Sequence, residues 1–162
     1  MEDKIEKLSS YCSGTDFGAI ILSDGEKEFY KKLNNEITLL CKSLPESTLD
    51  DAIIFSMRYS GISVGEELNF FRNYPAPTWS IIYWLIQSFP IDIELTEKDI
   101  KNAITAHASA MSLHSLDDHL NDGDIPTTHL TLLLRSQSWM IMNAALNDLA
   151  DGVEAGEKIV QS

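Results

Sequence analysis

The apolar residues of this chain recur three and four positions apart, which is the period of an α-helix. The pattern predicts a first helix over residues 24–44, and Pro45 would end it. A second helix is predicted to begin at Ser47 or Thr48. The apolar positions that define the two core faces are Phe29, Leu33, Ile37 and Leu40 in the first helix, and Ile53, Ile54 and Met57 in the second.

A third helix is predicted from Thr78 to Phe89, between the proline pair Pro75 and Pro77 and the single Pro90. Its side chains are apolar nearly all round, without a polar stripe. Helices of that kind are usually covered on every side by other elements. We therefore expect this helix to be buried.

The longest predicted helix runs over residues 96–122. Thr96 and Asp99 stand at capping-box spacing at its start, and Gly123 followed by Pro126 marks its end. Small side chains crowd its middle and would let other helices approach closely, so we place it at the centre of the fold. They are Ala103, Ala106, Ala108, Ser109, Ala110 and Ser112.

The pattern continues with a last long helix over residues 127–150, and residues 153–162 are again helical in pattern without a stop signal. With 162 residues, the chain has the length of one domain with a hydrophobic core. We predict a single all-α domain over residues 1–162 that begins with a loosely structured segment, residues 1–23. Because the pattern breaks off within a helix, we expect the N-terminal half of a larger helical bundle.

The net charge of the chain limits which molecules it can bind. The chain carries 25 acidic and 12 basic residues, for a formal net charge of -13. Such a surface repels the phosphates of nucleic acids, so no nucleic-acid partner is expected. A substrate with phosphate groups would need metal ions or a local basic patch to approach.

Three further observations bear on the compartment. The only cysteines, Cys12 and Cys41, are too few for a disulfide scaffold or a structural zinc site. No apolar run reaches the roughly 20 residues that span a bilayer. Residues 1–10 lack the apolar stretch of a secretory signal. We expect a cytoplasmic protein with reduced thiols and no transmembrane segment.

Acidic residues gather at the end of the long predicted helix. Asp118 and Asp122 are four residues apart and share a helix face, as do Asp117 and Asn121. Carboxylates one turn apart repel each other, and they lie at the negative end of the helix dipole. A bound cation would offset both costs, and ligands that are all oxygen favour Mg²⁺. The alternative is a solvated acidic helix end, which is what charge runs usually mark.

The stretch from His107 to Thr128, HASAMSLHSLDDHLNDGDIPTT, resembles the first aspartate-rich motif of the class I isoprenoid synthases. Asp117 and Asp118 match the leading aspartate pair of that motif, Asn121 takes its closing position, and Asp122 follows directly. The resemblance implies an all-α bundle around an apolar cavity. It also implies that Asp117, Asp118 and Asp122 are the catalytic, Mg²⁺-binding residues, with Asn121 as a further ligand.

The same resemblance implies an allylic prenyl diphosphate as substrate. Its ionisation leaves a carbocation, which aromatic faces can stabilise. We expect Arg72 and Arg135 as contacts to the diphosphate and Trp84 as an aromatic contact to the substrate. Arg135 is alternatively an ordinary surface charge. The aromatic residues available to line a cavity are Phe70, Phe71, Tyr74, Trp79, Tyr83, Trp84 and Trp139, each of which is alternatively ordinary core packing.

The sequence departs from the chain-elongating members of that family. It has no Gly-Lys-Arg segment upstream, and Ile125-Pro126-Thr127-Thr128 stands where they carry paired arginines. The function predicted is therefore Mg²⁺-dependent cyclisation or an unusual prenyl transfer. The alternative is a non-catalytic or regulatory helical subunit, paired with a second chain that carries the C-terminal half of the site. A homodimer is a further possibility for its assembly.

Two other kinds of site are less well supported. A di-iron bundle would need Glu-x-x-His pairs on two helices, and the chain has none, although His107 and His114 share a helix face. A serine hydrolase would need the Gly-x-Ser-x-Gly turn that presents the nucleophile, and the chain does not contain this motif.

Overall fold

A computed structural model describes residues 7, 21–61, 66–90, 95–151, 153 and 156. Within those residues the secondary structure is helical, and the predicted all-α class is confirmed. None of the described helices has the length and hydrophobicity needed to cross a bilayer. The elements in chain order are α1 (Asp24–Lys42), α2 (Glu46–Tyr59), a short 3₁₀ helix (Phe70–Asn73), α3 (Ala76–Gln87), α4 (Glu97–Asp122) and α5 (His129–Ala150).

Side-chain caps set the starts of three helices. Ser23, Thr96 and Thr128 each accept a hydrogen bond from the backbone N–H three residues later, and the residue at that position bonds back to the cap. The capping box predicted at Thr96 is therefore confirmed. Gly123 ends α4 with a φ of 76°, a conformation that favours glycine. The predicted helix bounds differ from the observed ones by a few residues, since caps and not hydrophobic periodicity decide them.

Helix α4 is the central element, as its small residues predicted. It packs against α1, α3 and α5. The approach to α5 is close enough for the buried hydroxyls of Ser112 and Ser138 to lie 3.1 Å apart. Two hydrophobic clusters result. The first joins α1, α3, α4 and the 3₁₀ helix around Phe71 and Trp79, and the second joins α1, α2, α4 and α5 around Leu116 and Leu134.

The predicted burial of the third helix is wrong. Trp79 and Ser80 of α3 are buried, but the opposite face is 45% to 51% exposed at its large apolar side chains. Helix α3 lies at the edge of the described bundle, where α1 and α4 cover only one of its sides. The exposed side chains of this stretch are Ile81, Trp84, Leu85 and Phe89.

Several predictions fall largely or wholly outside the described residues. Of the predicted loose segment 1–23, the structure describes only residues 7 and 21–23, and of the helical pattern 153–162 only residues 153 and 156. Cys12 is also outside them. Cys41 is a buried, free thiol on α1 that lies 3.5 Å from the hydroxyl of Ser56. Burial raises the pKa of this thiol, which keeps it protonated.

Candidate functional site

A pocket of about 620 Å³ opens between α2, the 3₁₀ helix and the C-terminal part of α4. Its volume lies in the range of small-molecule sites. One side is aromatic, and the other carries carboxylates and imidazoles. The side chains that give the pocket its chemistry are Tyr59, Phe70 and Tyr74 on the aromatic side, and His114, Asp118, His119 and Asp124 on the polar side.

The aromatic side is a continuous stack of four rings. Tyr59 of α2 lies parallel to Phe70, with ring centroids 5.8 Å apart and an interplanar angle of 12°. Phe55 extends the stack on one side, at 6.0 Å from Tyr59, and Tyr74 extends it on the other, at 5.8 Å from Phe70. The stack joins α2 to the 3₁₀ helix and to the residue that follows it. It therefore fixes the pocket wall as part of the core.

Ser115 of α4 anchors the phenol groups of this wall. Its hydroxyl forms a hydrogen bond with the hydroxyl of Tyr74 and donates to the carbonyl of Met111 at 2.8 Å. Its backbone carbonyl accepts a hydrogen bond from the hydroxyl of Tyr59 at 3.5 Å. Burial, together with the neighbouring Tyr74, raises the pKa of Tyr59 well above its ordinary value. The Tyr59 phenol therefore stays neutral.

On the polar side, His119 and Asp124 form a hydrogen-bonded pair. The carboxylate Oδ2 of Asp124 lies 3.0 Å from Nδ1 of His119. The turn at Gly123 makes this possible, because it brings the backbone N–H of Asp124 to within 2.9 Å of the His119 carbonyl. The imidazole also meets Tyr59 edge to face, with ring centroids 5.1 Å apart. An imidazole that donates through Nδ1 to a carboxylate presents Nε2 as a proton acceptor.

The two adjacent aspartates of the predicted motif face different neighbours. Asp118 lines the pocket. Asp117 faces α5, where Nε and Nη2 of Arg135 bind its two carboxylate oxygens, the second at 3.1 Å. Residues that follow each other on a helix point about 100° apart, so a pocket and a neighbouring helix can each receive one of them. Asn121 and Asp122 are exposed one turn later, outside the pocket lining.

The acidic residues fit a Mg²⁺ ion in part. Among the described residues, no three His, Cys, Asp or Glu side chains lie close enough to hold a metal ion by themselves. Proteins often bind Mg²⁺ through only one or two carboxylates, and water and substrate phosphates complete the shell. Asp118 and Asp122 meet that requirement, since both are exposed and neither forms an ion pair within the described part of the chain. Asp117 does not, as long as Arg135 binds it.

The predicted substrate contacts lie apart from this pocket. Arg72 is exposed on the 3₁₀ helix, although its neighbours Phe70 and Asn73 line the pocket. Trp84 lies on α3, and its indole N–H donates to Glu26 at 3.2 Å. Of the seven aromatic residues considered, Phe70 and Tyr74 line the pocket. Phe71 and Trp79 are in the core, and Trp139 is exposed on α5.

His107 does not share a site with His114. Nε2–H of His107 donates to the backbone carbonyl of Thr78 at 3.1 Å, which links α4 to α3. Burial lowers its pKa, so the neutral form is favoured. His114 instead lines the pocket one turn before Asp118. His107 is thus a packing residue, and His114 is a pocket residue.

Tyr59 and His119 are pocket residues that were not predicted from the sequence. His119 stood within the acidic motif and was passed over, because the carboxylate that binds it comes from beyond the helix end. The combination of a histidine, a glycine four residues later and an aspartate after the glycine was the available signal. Tyr59 gave no local signal, because its position depends on how α2 packs against α4.

Comparison of the chain with protein-family models, curated proteins and solved structures finds no match.

Proposed function

We propose that this chain is a Mg²⁺-dependent isoprenoid synthase that acts on an allylic prenyl diphosphate by cyclisation or prenyl transfer. The observation that carries the proposal is the position of Asp118. This carboxylate lies at a pocket of about 620 Å³ whose other side is a stack of aromatic rings. A charged head group and an apolar, cation-forming tail require that combination of surfaces. The resemblance of residues 107–128 to an aspartate-rich motif supports the same assignment.

The polar and aromatic sides of the pocket would have different roles in this reaction. Asp118 and Asp122 would hold the metal, with Asn121 as a further oxygen donor. Bound Mg²⁺ neutralises the diphosphate and makes it a better leaving group. The ring faces of Tyr59, Phe70 and Tyr74 would lie against the positive charge that forms on the prenyl chain.

Asp117 and Arg135 have a conditional role in this proposal. Their ion pair neutralises one carboxylate of the motif, which lowers the repulsion that Asp118 experiences. Asp117 can join Asp118 as a metal ligand only if Arg135 releases it. The released guanidinium would then be free to bind the diphosphate, since guanidinium groups bind phosphate oxygens in pairs. Arg72 and Trp84 do not line the described pocket, so they would contact only a substrate that extends beyond it.

The lining of the pocket favours cyclisation or transfer to another acceptor over elongation. An elongating enzyme must bind a second diphosphate, and none of the described residues that line the pocket is a lysine or an arginine. His119 lines the pocket and can take a proton, through Nε2, when a cation in the pocket collapses to an olefin.

Calorimetric titration with an unreactive allylic diphosphate analogue tests the proposal. We expect binding in the presence of Mg²⁺ and no detectable binding without it. Asp118→Asn should weaken the Mg²⁺-dependent binding at least about tenfold, because it removes the charged ligand in the pocket. Asp50→Asn is the matched control, since Asp50 is also exposed but lies on α2 and does not line the pocket. Binding that ignores Mg²⁺, or equal losses in both variants, would rule the assignment out.

A further inference from the structure

The pocket between α2, the 3₁₀ helix and α4 combines carboxylates with an aromatic wall. Its carboxylates are Asp118 and Asp124, and the lining, as far as the structure describes it, includes no lysine or arginine. Asp118 has no cationic partner among the described residues. Asp124 is bound through one oxygen, Oδ2, which lies 3.0 Å from Nδ1 of His119. Both carboxylates are exposed, so a ligand that enters the pocket can reach them.

The aromatic wall offers a ligand rings and few hydrogen-bonding groups. The hydroxyl of Tyr59 donates to the backbone carbonyl of Ser115 at 3.5 Å, and the hydroxyl of Tyr74 is bonded to the Ser115 hydroxyl. Phe70, which stacks between them, has no polar atom in its side chain. A positive charge within about 6 Å of a ring centroid is attracted to the π electrons of the ring. The wall is therefore suited to a cation that does not need hydrogen bonds on that side.

The two sides together favour a particular kind of cation. A metal ion needs several ligand atoms around it, and no three His, Cys, Asp or Glu side chains of the described residues are close enough to supply them. A primary ammonium group has three N–H donors, for which the aromatic wall provides no free acceptor. A quaternary ammonium group has methyl groups instead, which can pack on rings while a carboxylate balances the charge. The pocket, at about 620 Å³, also has room for the rest of such a molecule.

We propose that this pocket binds an organic cation with a quaternary ammonium group, whose methyl groups pack on the aromatic wall while Asp118 and Asp124 balance its charge. This goes beyond the isoprenoid function proposed above, because such a ligand needs neither Mg²⁺ nor a diphosphate. The formal net charge of -13 attracts a cation to the protein, whereas it repels a diphosphate that has no metal ions.

Calorimetric titration in metal-free buffer tests the class of ligand. The probes are choline and its neutral isostere, in which carbon replaces the quaternary nitrogen, so the two differ in charge and hardly in shape. We expect choline to bind at least about tenfold more tightly, because the rings and the carboxylates attract only the charged probe. Equal affinities of the two probes, or no heat of binding with millimolar choline, would overturn the inference. Since Mg²⁺ and diphosphate are absent, the result does not depend on whether the isoprenoid proposal is correct.

Substitutions at Tyr74 test whether the aromatic wall holds the cation. Tyr74→Leu should weaken choline binding at least about fivefold, because leucine is apolar but has no ring. Tyr74→Phe loses the hydrogen bond to Ser115 but keeps the ring, so its affinity should stay within about twofold of the wild type. Trp139→Leu is the control for loss of a ring elsewhere, since Trp139 is exposed on α5 and does not line the pocket.

Substitution of Asp118 tests the carboxylate side in the same titration. Asp118→Asn should weaken choline binding at least about threefold, because it removes a charge at the pocket and keeps the size of the side chain. Asp50→Asn should leave the affinity unchanged, since Asp50 does not line the pocket. Circular dichroism shows whether each variant is folded. If folded Tyr74→Leu or folded Asp118→Asn binds choline as the wild type does, the inference is wrong.

Discussion

The guanidinium of Arg135 on α5 binds both carboxylate oxygens of Asp117 on α4, across eighteen positions of sequence. Planar, paired contacts of this kind are the stronger form of ion pair. This contact separates two adjacent aspartates of one motif, because Asp118 faces the pocket and remains without a cationic partner among the described residues.

A double-mutant cycle measures that ion pair. Asp117→Asn and Arg135→Gln should each lower the free energy of unfolding by about 0.5–1 kcal/mol, and the double variant should lose little more than either one. The expected values are small because both side chains are partly exposed. Urea denaturation followed by circular dichroism gives the three differences. Strictly additive losses would show that the two side chains do not interact in solution.

Removal of the Asp118 carboxylate should abolish activity without lowering stability, unlike removal of Asp117 or Arg135. Replacing Asp118 with Ala should abolish diphosphate release while leaving the free energy of unfolding unchanged or raised by up to about 0.5 kcal/mol. The gain arises because one negative charge leaves an acidic helix C-terminus. Release of inorganic diphosphate from an allylic prenyl diphosphate with Mg²⁺ reports the activity. Wild-type turnover by Asp118→Ala would remove this residue from the metal site.

Two adjacent threonines test the start of α5, the helix that carries Arg135. Thr128→Ala should cost about 1 kcal/mol of folding free energy, because its hydroxyl accepts the backbone N–H of Thr131 at 3.2 Å. Thr127→Ala should change stability by less than about 0.5 kcal/mol, since Thr127 is exposed and forms no capping bond. Thermal denaturation of the pair compares them directly. Equal effects would mean that the helix begins elsewhere.

His107 should make folding dependent on pH. Burial lowers its pKa in the folded state below the ordinary 6.5, so the unfolded chain binds a proton first as the pH falls. Its contribution to stability is therefore complete above pH 6.5 and is lost below it, at up to about 1.4 kcal/mol per pH unit. Denaturation between about pH 5 and 7.5 measures this slope, above the range in which the capping carboxylates of Glu26 and Asp99 titrate.

His107→Gln is the informative variant for that slope. Glutamine can still donate an N–H to the Thr78 carbonyl but does not titrate, so the slope should decrease. His129→Gln serves as control, because His129 is exposed at the first turn of α5. A slope that persists in His107→Gln would assign the pH dependence to another group.

The sequence predicted the parts of this fold that depend on local interactions. The capping pair Thr96 and Asp99 and the glycine stop at Gly123 were predicted correctly, because each acts within four residues of itself. The central position of α4 also followed from its small side chains. The prediction that α3 is buried was wrong, since Trp84 on this helix is half exposed. An apolar sequence does not reveal whether another element covers the helix.

The site was predicted only in part for a related reason. The helix period placed Asp118 and Asp122 on one face, but not the direction in which that face points. The partner of Asp117 depends on the rotation of α5 about its own axis, which the sequence does not encode locally. The same holds for Tyr59, which reaches the pocket through the packing of α2.

The four-ring stack that walls the pocket is also part of the hydrophobic core, so the two sides of this pocket are not equally free to vary. Substitution of Tyr59 or Phe70 to reshape the cavity would also remove packing between α2 and the 3₁₀ helix. His114 and Asp118 are exposed on α4 and belong to neither hydrophobic cluster. New ligand preferences in this scaffold can therefore arise at low cost only from the α4 side, while the aromatic side keeps a nearly constant shape.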